Sequence, residues 1–199
     1  MKFIGITGGV GSGKSLVLDY LKNKHKAYVI RADDVARELV KKGRECYGPY
    51  VELFGKEAVG EDGELRRDLI AERVFAQPKL RLRMNALIHP AVREFLIKDV
   101  ERIRLSGNYD FYFLEAALLI EENYDKICDE LWYVYADEDA RRERLKKARG
   151  YSDEKIDDMI GSQKSEEEFT RSCAETIDNS GSAEETYEQL DRLINIKSL

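Results

Sequence analysis

The chain has 199 residues, of which 43% are hydrophobic, and it carries a formal charge of −6 with an isoelectric point near 5.2. This length and apolar content suffice for one packed domain, whereas the acidic balance argues against nucleic acid as a partner. Three cysteines, Cys46, Cys128 and Cys173, form no CxxC pair. They predict free thiols in a reducing, cytoplasmic compartment rather than a disulfide or zinc framework. The apolar runs are too short to cross a membrane, and we expect neither a membrane nor an obligate protein partner.

Short apolar runs alternate with longer amphipathic runs along most of the chain. The apolar runs are KFIGIT, AYVI, YDFYFLE, ELWYVYA and AETID, and the amphipathic runs include KSLVLDYLKNK and DDVARELVKK. This alternation predicts an α/β fold in which helices flank both faces of a parallel sheet.

Two stretches depart from this alternation. Residues 44–106 have helical spacing and no convincing strand, which predicts a helical substrate-binding insertion. Residues 137–173 are helical and densely charged, which predicts a helical lid. The remaining segments, 1–43, 107–136 and 174–199, then form the core of a single domain.

The run GGVGSGKS lies between the first predicted strand and the first predicted helix. Gly8, Gly13, Lys14 and Ser15 match the Walker A pattern of a phosphate-binding loop, or P-loop. In such a loop backbone N–H groups surround the phosphates, the lysine reaches the β and γ phosphates, and the serine hydroxyl binds Mg²⁺. The alternative is a glycine-rich turn with a chance lysine, but strand, spacing and helix together favour a P-loop NTPase fold with ATP and Mg²⁺ as ligands. The predicted ATP-binding residues of the loop are Gly9, Val10, Gly11, Ser12, Gly13, Lys14, Ser15 and Leu16.

The sequence favours one class of P-loop protein. The guanine-reading NKxD signature is absent, and the chain is too short for a typical motor ATPase, which leaves kinases of small metabolites. A kinase needs a base for the acceptor hydroxyl, an acidic group near the metal and cations that close over the γ-phosphate.

Two acidic residues follow the second predicted strand. We expect this strand to lie beside the P-loop strand, so that Asp33 or Asp34 lies near the acceptor and can take its hydroxyl proton. The alternative is that either residue is an N-cap of the following helix. Both interpretations remain open at this point.

Further candidates for the metal and phosphate contacts lie at the end of the third predicted strand and in the predicted lid, which follows the fourth. Glu115 ends the third strand, where an acidic residue can order Mg²⁺ through water, although it can also be an incidental strand-end carboxylate. In the predicted lid, Arg144 and Arg149 are the favoured phosphate contacts, with Arg141 as an alternative to Arg149. The other possibility is that these arginines lie on a solvated helix surface. The basic residues of this run are at positions 141, 142, 144, 146, 147 and 149.

Several motifs in order along nearly the whole chain resemble those of the dephospho-CoA kinase family. They are GITGGVGSGKS at residues 5–15, ADDVAR at 32–37, RRDLIAERVF at 66–75, MNALIHPAV at 84–92, ALLIE at 117–121 and IDNSG at 177–181. The resemblance implies transfer of the γ-phosphate of ATP to the 3′-hydroxyl of the ribose of dephospho-CoA, giving CoA and ADP.

The resemblance also implies roles for particular residues. Asp33 corresponds to the catalytic base, which acts together with Lys14 and Arg144. Arg37, Arg67 and His89 correspond to residues that bind the acceptor, and the last two lie in the helical substrate domain. His89 and Pro90 can instead close a turn or cap the next helix. Asn179 corresponds to the loop close to the adenine of ATP.

Four positions depart from the family pattern. Arg31, Ala117, Ala148 and Met159 replace an aspartate, a proline and two arginines. These changes keep open a nucleotide-binding protein with impaired catalysis. The other alternative is a different small-molecule kinase on the same scaffold, such as a nucleoside or nucleotide kinase.

Overall fold

Five strands form one parallel sheet in the computed structural model, which describes residues 1–198. The strands are β1 (Lys2–Thr7), β2 (Ala27–Arg31), β3 (Phe111–Glu115), β4 (Glu130–Tyr135) and β5 (Glu175–Asp178). Four strands fall within the apolar runs that predicted them, and β2 extends one residue beyond its run, to Arg31. The predicted α/β fold with a parallel sheet is therefore confirmed. The strand order is β2-β3-β1-β4-β5, which places β1 at the centre of the sheet.

The strand order corrects one prediction. We expected β2 to lie beside β1, but β3 lies between them. The burial of the two strands explains the difference, because four of the five residues of β3 are buried whereas only Ala27 of β2 is. A nearly continuous apolar strand suits the interior of a parallel sheet, and a less buried strand suits its edge.

Helices connect the strands. They are α1 (Lys14–Lys24), α2 (Ala32–Leu39), α3 (Tyr47–Phe54), α4 (Arg67–Ala76), α5 (Pro78–Ser106), α6 (Glu138–Arg149), α7 (Asp153–Gly161), α8 (Glu166–Ser172) and α9 (Ala183–Lys197). Short 3₁₀ turns cover Lys56–Ala58 and Tyr124–Lys126. Within residues 1–198, no helix has both the length and the apolar character needed to cross a membrane.

The chain divides into two compact units. The first contains Met1–Ile30 and the chain from Ile103 onward, and the second contains Arg31–Arg102. The predicted insertion covers residues 44–106. The second unit begins earlier, at Arg31, and therefore also includes α2. Every residue between 44 and 106 is described, and this segment contains helices, one 3₁₀ turn and a single isolated bridge, but no strand.

The core of the first unit lies between one face of the sheet and helices α1 and α9. Its members are apolar residues that alternate along the strands with residues of the opposite face, as a pleated strand requires. They are Ile4, Ile6, Val17, Leu18, Leu21, Ala27, Phe111, Phe113, Trp132, Val134, Ile177, Leu190 and Ile194. On the opposite face of β4, the ring of Tyr133 stacks on Phe169 of α8, with centroids 4.8 Å apart. Helices therefore pack on both faces of the sheet, with α1 and α9 on one face and α8 on the other.

Helix α5 is 29 residues long and contains Pro90 in its interior. The possibility that His89 and Pro90 close a turn or cap a helix is therefore wrong. Proline lacks an N–H and costs about 3 kcal/mol inside a helix. Buried residues at Ile88, Val92 and Leu96 continue the same helical face across this point. Burial of that face outweighs the cost of the proline.

Candidate functional site

The loop between β1 and α1 requires glycine at its last position. Gly13 is the N-cap of α1 and has a φ of 88° and a ψ of 25°. This conformation lies in the left-handed region that favours glycine. A Cβ atom at this position would also lie 2.1 Å from Nδ2 of Asn179. Both the backbone and the packing therefore exclude a side chain here.

The loop presents several backbone amides without an internal partner. Among residues 1–198, no group accepts a hydrogen bond from the backbone N–H of Gly11, Gly13, Lys14 or Ser15. These N–H groups lie at the N-terminus of α1, where the helix dipole adds partial positive charge. Unpaired amides at a helix N-terminus form a site for phosphate oxygens.

Lys14 lies inside the loop rather than in solvent. Its Nζ donates hydrogen bonds to the carbonyl oxygens of Gly8 at 2.7 Å and Gly9 at 3.2 Å. Burial lowers the pKa of Lys14, with a further decrease from Arg141, while the carboxylate of Glu115 opposes both effects. The ammonium group is thus held among loop carbonyls and close to an acidic side chain.

One cavity brings most of the predicted nucleotide-binding residues together. Its volume is about 280 Å³. Its lining residues are Val10, Gly11, Gly13, Lys14, Ser15, Glu115, Arg144, Leu145, Ala148 and Arg149. Gly9, Ser12 and Leu16 do not line it. The N–H of Leu16 instead donates to the carbonyl of Gly13 at 3.0 Å, which closes the first turn of α1.

The cavity contains oxygen groups of the kind that Mg²⁺ prefers. The Ser15 hydroxyl and the Glu115 carboxylate both line it, and hard cations such as Mg²⁺ take oxygen ligands. Glu115 lies there because β3 pairs directly with β1, so that Glu115 is the register partner of Ile6. Within residues 1–198, no cluster of three or more His, Cys, Asp or Glu side chains could hold a metal alone. Two protein oxygens fit an ion that is completed by phosphate and water.

Arg141 and Gln163 hold the peptide groups on both sides of Val10. The N–H of Val10 donates to Oε1 of Gln163 at 3.1 Å, and Nε of Arg141 donates to the carbonyl of Val10 at 2.9 Å. Arg141 and Gln163 also bond to each other, at 2.7 Å. Burial lowers the pKa of Arg141, which fits its position against the loop. The segment predicted as a lid therefore contacts the loop directly.

A second set of contacts reaches the loop at Ser12. Nδ2 of Asn179 donates to the carbonyl of Ser12 at 2.7 Å, and Nη2 of Arg144 donates to the carbonyl of Asn179 at 2.7 Å. Two buried polar atoms, Oγ of Ser12 and Nη1 of Arg144, have no partner within the described part of the chain. Buried polar groups normally have partners, so an unpaired guanidinium nitrogen beside the cavity is suited to an anionic ligand.

Arg149 lies at the outer end of α6. Its side chain is exposed, lines the cavity and donates only a long bond, 3.5 Å, to the hydroxyl of Tyr151. It is therefore less fixed than Arg141 or Arg144. Ala148, where the family pattern has an arginine, lines the cavity next to it.

In the second unit, Asp33 and Asp34 lie in the first turn of α2. Neither is an N-cap, because Arg31 occupies that position and no side chain caps the helix. The N-cap alternative is therefore wrong. Asp34 pairs with Arg37 at 2.8 Å. Asp33 is exposed and forms no hydrogen bond or ion pair with another described residue.

The other two predicted acceptor residues lie on other helices of the second unit. Arg67 begins α4 and is exposed, and it lines a cavity of about 220 Å³ with Val40, Lys41, Glu64 and Leu65. His89 lies half-buried within α5.

Comparison with known proteins decides the family. The family model for dephospho-CoA kinase matches residues 2–185. The chain belongs to the dephospho-CoA kinase family. A Staphylococcus aureus dephospho-CoA kinase is 36% identical over 193 residues, which cover 97% of this chain and 92% of that protein. The predicted family and the predicted enzyme class, a kinase among the transferases, are therefore confirmed.

Solved structures share the fold of this chain. A crystal structure from Thermus thermophilus superposes with a TM-score of 0.80 at 28% identity and covers 98% of this chain and 97% of its own. A dephospho-CoA kinase from Campylobacter jejuni superposes with a TM-score of 0.67 at 16% identity, with the same coverages, and supports the fold.

Sequence reasoning missed one residue that contacts Asn179. Thr186, on α9, donates to Oδ1 of Asn179 at 2.9 Å. A local signal was present, since Ser182 and Glu185 form a capping box that marks the start of α9. That box fixes the first turn of α9, and Thr186 lies immediately after it.

Proposed function

We propose that this protein transfers the γ-phosphate of ATP to the 3′-hydroxyl of the ribose of dephospho-CoA, giving CoA and ADP. The observation that carries the proposal is the cavity at the N-terminus of α1. It is lined by Lys14, Ser15 and Glu115 together with loop residues whose backbone N–H groups have no partner within residues 1–198. The family of the chain supplies the acceptor, because the family model and its relatives are named for dephospho-CoA.

The phosphate loop binds and orients the triphosphate. Its unpaired N–H groups donate hydrogen bonds to the phosphate oxygens, and Lys14 neutralises charge on the β and γ phosphates. We assign the Ser15 hydroxyl as a ligand of Mg²⁺. We assign the Glu115 carboxylate to a contact with Mg²⁺ through a bridging water. When bound, Mg²⁺ neutralises negative charge on the phosphates. Phosphoryl transfer depends mainly on positioning and on charge stabilisation, which are the contributions these residues can make.

Arginines of the 137–173 segment complete the site as a lid. We assign Arg144 to the transferring phosphoryl group, because it lines the cavity and its buried Nη1 has no partner within the described residues. Arg149 is exposed at the cavity edge and can adjust to the phosphates. Arg141 stabilises the loop and does not contact the ligand, since its guanidinium donates hydrogen bonds to Val10 and Gln163. Cations close to the γ-phosphate stabilise charge in the transition state and exclude water.

Asp33 is the proposed general base. Its carboxylate is exposed and has no partner within residues 1–198, so it is available to accept the proton of the acceptor hydroxyl. Asp34 is a weaker candidate because it is paired with Arg37. We assign Arg37, Arg67 and His89 to acceptor binding, where cationic side chains pair with phosphate groups.

We also propose the setting in which the enzyme acts. The nucleotide-binding core comprises residues 1–43, 107–136 and 174–199, and residues 44–106 bind the acceptor together with Asp33 and Arg37 of α2. A small molecule is the only partner required, with neither nucleic acid nor an obligate protein partner. The negative net charge and the three free cysteines support a cytoplasmic enzyme that acts on metabolites.

An acceptor comparison combined with two matched variants tests this proposal. With MgATP, dephospho-CoA should be phosphorylated and nucleosides should not. Asp33→Asn should lower kcat on the order of a hundredfold with little change in the Kd for ATP, because a lost general base slows chemistry without weakening nucleotide binding. The same change at the neighbouring carboxylate, Asp34→Asn, should affect mainly the KM for the acceptor, since it releases Arg37.

Two results would contradict it. If a nucleoside is phosphorylated and dephospho-CoA is not, the acceptor is wrong. If Asp33→Asn retains full kcat while Asp34→Asn loses it, the base is misassigned to Asp33.

A further inference from the structure

Asn179 uses its polar groups within the protein. It is 3% exposed. Its backbone N–H donates to the carbonyl of Tyr135 at 2.8 Å, and its carbonyl accepts from Arg144. Its carboxamide donates from Nδ2 to Ser12 and accepts at Oδ1 from Thr186. A side chain that is buried and bonded in this way has no surface with which to read a nucleotide base.

Thr186 determines how the carboxamide of Asn179 is oriented. Thr186 is fully buried, and its hydroxyl lies 2.9 Å from Oδ1 of Asn179. The carbonyls of Ser182 and Asp178 are farther away, at 3.2 and 3.5 Å. A hydroxyl has one hydrogen, and the shortest contact is with Asn179. With Oδ1 engaged as the acceptor, Nδ2 faces Ser12.

The bond from Asn179 acts on the part of the loop that precedes α1. It fixes the carbonyl of Ser12, which belongs to the same peptide group as the N–H of Gly13. That N–H is one of the amides without a partner in the described chain. The 2.1 Å separation between Nδ2 of Asn179 and a Cβ built on Gly13 shows how closely the carboxamide is packed there. Movement of the carboxamide would release this peptide.

We propose that Thr186 is a positioning residue for ATP: its hydroxyl fixes the Asn179 carboxamide, which holds the Ser12–Gly13 peptide in the orientation that binds phosphate. Asn179 thus acts through the phosphate loop and not on the adenine. This inference rests on the proposed function only in taking ATP as the ligand of the loop. A loop that is already ordered loses less conformational freedom on binding than a mobile one.

Three variants at two threonines separate the hydroxyl from its packing. Thr186→Val keeps the shape but removes the donor, whereas Thr186→Ser keeps the donor. Thr176→Val, at an exposed position on β5, is the matched control. Thr186→Val should raise both the KM and the Kd for ATP about tenfold and change kcat by less than about threefold, because ordering the loop affects ground state and transition state equally. Thr186→Ser should bind ATP nearly as the unaltered protein does, even if its Tm falls.

Hydrogen exchange provides a readout that does not depend on activity. In nucleotide-free protein, the amides of residues 11–15 should exchange faster in Thr186→Val than in Thr186→Ser or Thr176→Val. If the unaltered protein neither binds ATP nor phosphorylates dephospho-CoA, the proposed function fails, but this comparison still decides whether Thr186 orders the loop. Equal exchange in all variants, or equal loss of ATP affinity in Thr186→Val and Thr186→Ser, overturns the inference.

Base selectivity tests the role of Asn179. Asn179→Ala should weaken ATP, GTP and inorganic pyrophosphate by the same factor, because all three bind through the loop. A loss confined to ATP would assign Asn179 to adenine recognition and would contradict the inference.

Discussion

Substitution of Gly13 by alanine tests whether the phosphate loop is as tightly constrained as the structure indicates. Alanine at this position must adopt a φ of 88° and place its Cβ 2.1 Å from Nδ2 of Asn179. Gly107 offers a matched control in the same unit, because it has a φ of 65° but no atom within 4 Å of a built Cβ. Gly107→Ala therefore carries the backbone penalty alone.

The two penalties can be estimated separately. A left-handed conformation costs a residue with a side chain about 1 to 2 kcal/mol. The Asn179 carboxamide must also move away from Gly13, which breaks its 2.7 Å bond to Ser12 and leaves a buried carbonyl unpaired. An unpaired buried group costs about 1 to 3 kcal/mol. Gly13→Ala should therefore lower the free energy of unfolding by about 2 to 5 kcal/mol, and Gly107→Ala by about 1 to 2 kcal/mol.

Urea unfolding followed by tryptophan fluorescence measures this difference. The chain has one tryptophan, Trp132, which is fully buried in the core of the unit that contains both glycines. We expect a lower urea midpoint for Gly13→Ala than for Gly107→Ala, with similar slopes. Equal losses of stability in the two variants would refute the close packing of Asn179 against the loop.

Two further predictions concern charged groups. Lys14→Ala should lower kcat/KM on the order of a hundredfold or more, because the charge on the phosphates is no longer neutralised. Lys22→Ala, on the exposed side of the same helix, is the control and should retain normal kinetics. Equal kinetics in the two variants would remove Lys14 from the site. Lys197 bonds to Glu130 at 2.7 Å and to Glu175 at 2.9 Å. Burial raises the pKa of Glu130, but the bonds from Lys197 and a tryptophan outweigh it, so the net pKa lies below the ordinary 4.5. The stabilisation from this cluster is thus present above pH 4.5 and is lost as the pH falls through the lower folded pKa of Glu130. Lys197→Met should therefore destabilise the protein at pH 7 and progressively less toward pH 3. A difference in unfolding free energy between the two proteins that does not change with pH would contradict this.

The sequence carried most of the information on the sheet and the phosphate loop because both follow from local patterns. Strand and helix periodicity located β1, and GGVGSGKS immediately after it predicted an anion site. Glu115 could be placed near the loop because parallel strands end at one edge of a sheet, and its pairing with Ile6 agrees with that reasoning. Family motifs along the chain identified the kinase family.

Other features depended on tertiary contacts that no local pattern encodes. The order of β2 and β3 depends on which strand is better buried, and adjacency in sequence suggested the wrong neighbour for β1. Pro90 indicated a helix boundary, but the buried face of α5 continues through it.

The role of Asn179 illustrates the same limit at the site. The IDNSG motif drew attention to Asn179, yet only the structure relates it to residues that are distant in sequence. Ser12 lies 167 positions away from it, and Thr186 approaches it from the next helix. A motif identifies a residue type at a position, whereas the bonds that the residue makes depend on the complete fold.

The most direct test of the central claim is identification of the product by phosphorus NMR. After incubation with MgATP and dephospho-CoA, we expect one ADP for each CoA formed, with a new phosphomonoester on the 3′ carbon of the ribose. The 3′-deoxy analogue of dephospho-CoA should receive no phosphate. Absence of transfer to dephospho-CoA, or phosphorylation of the 3′-deoxy analogue, would contradict the account.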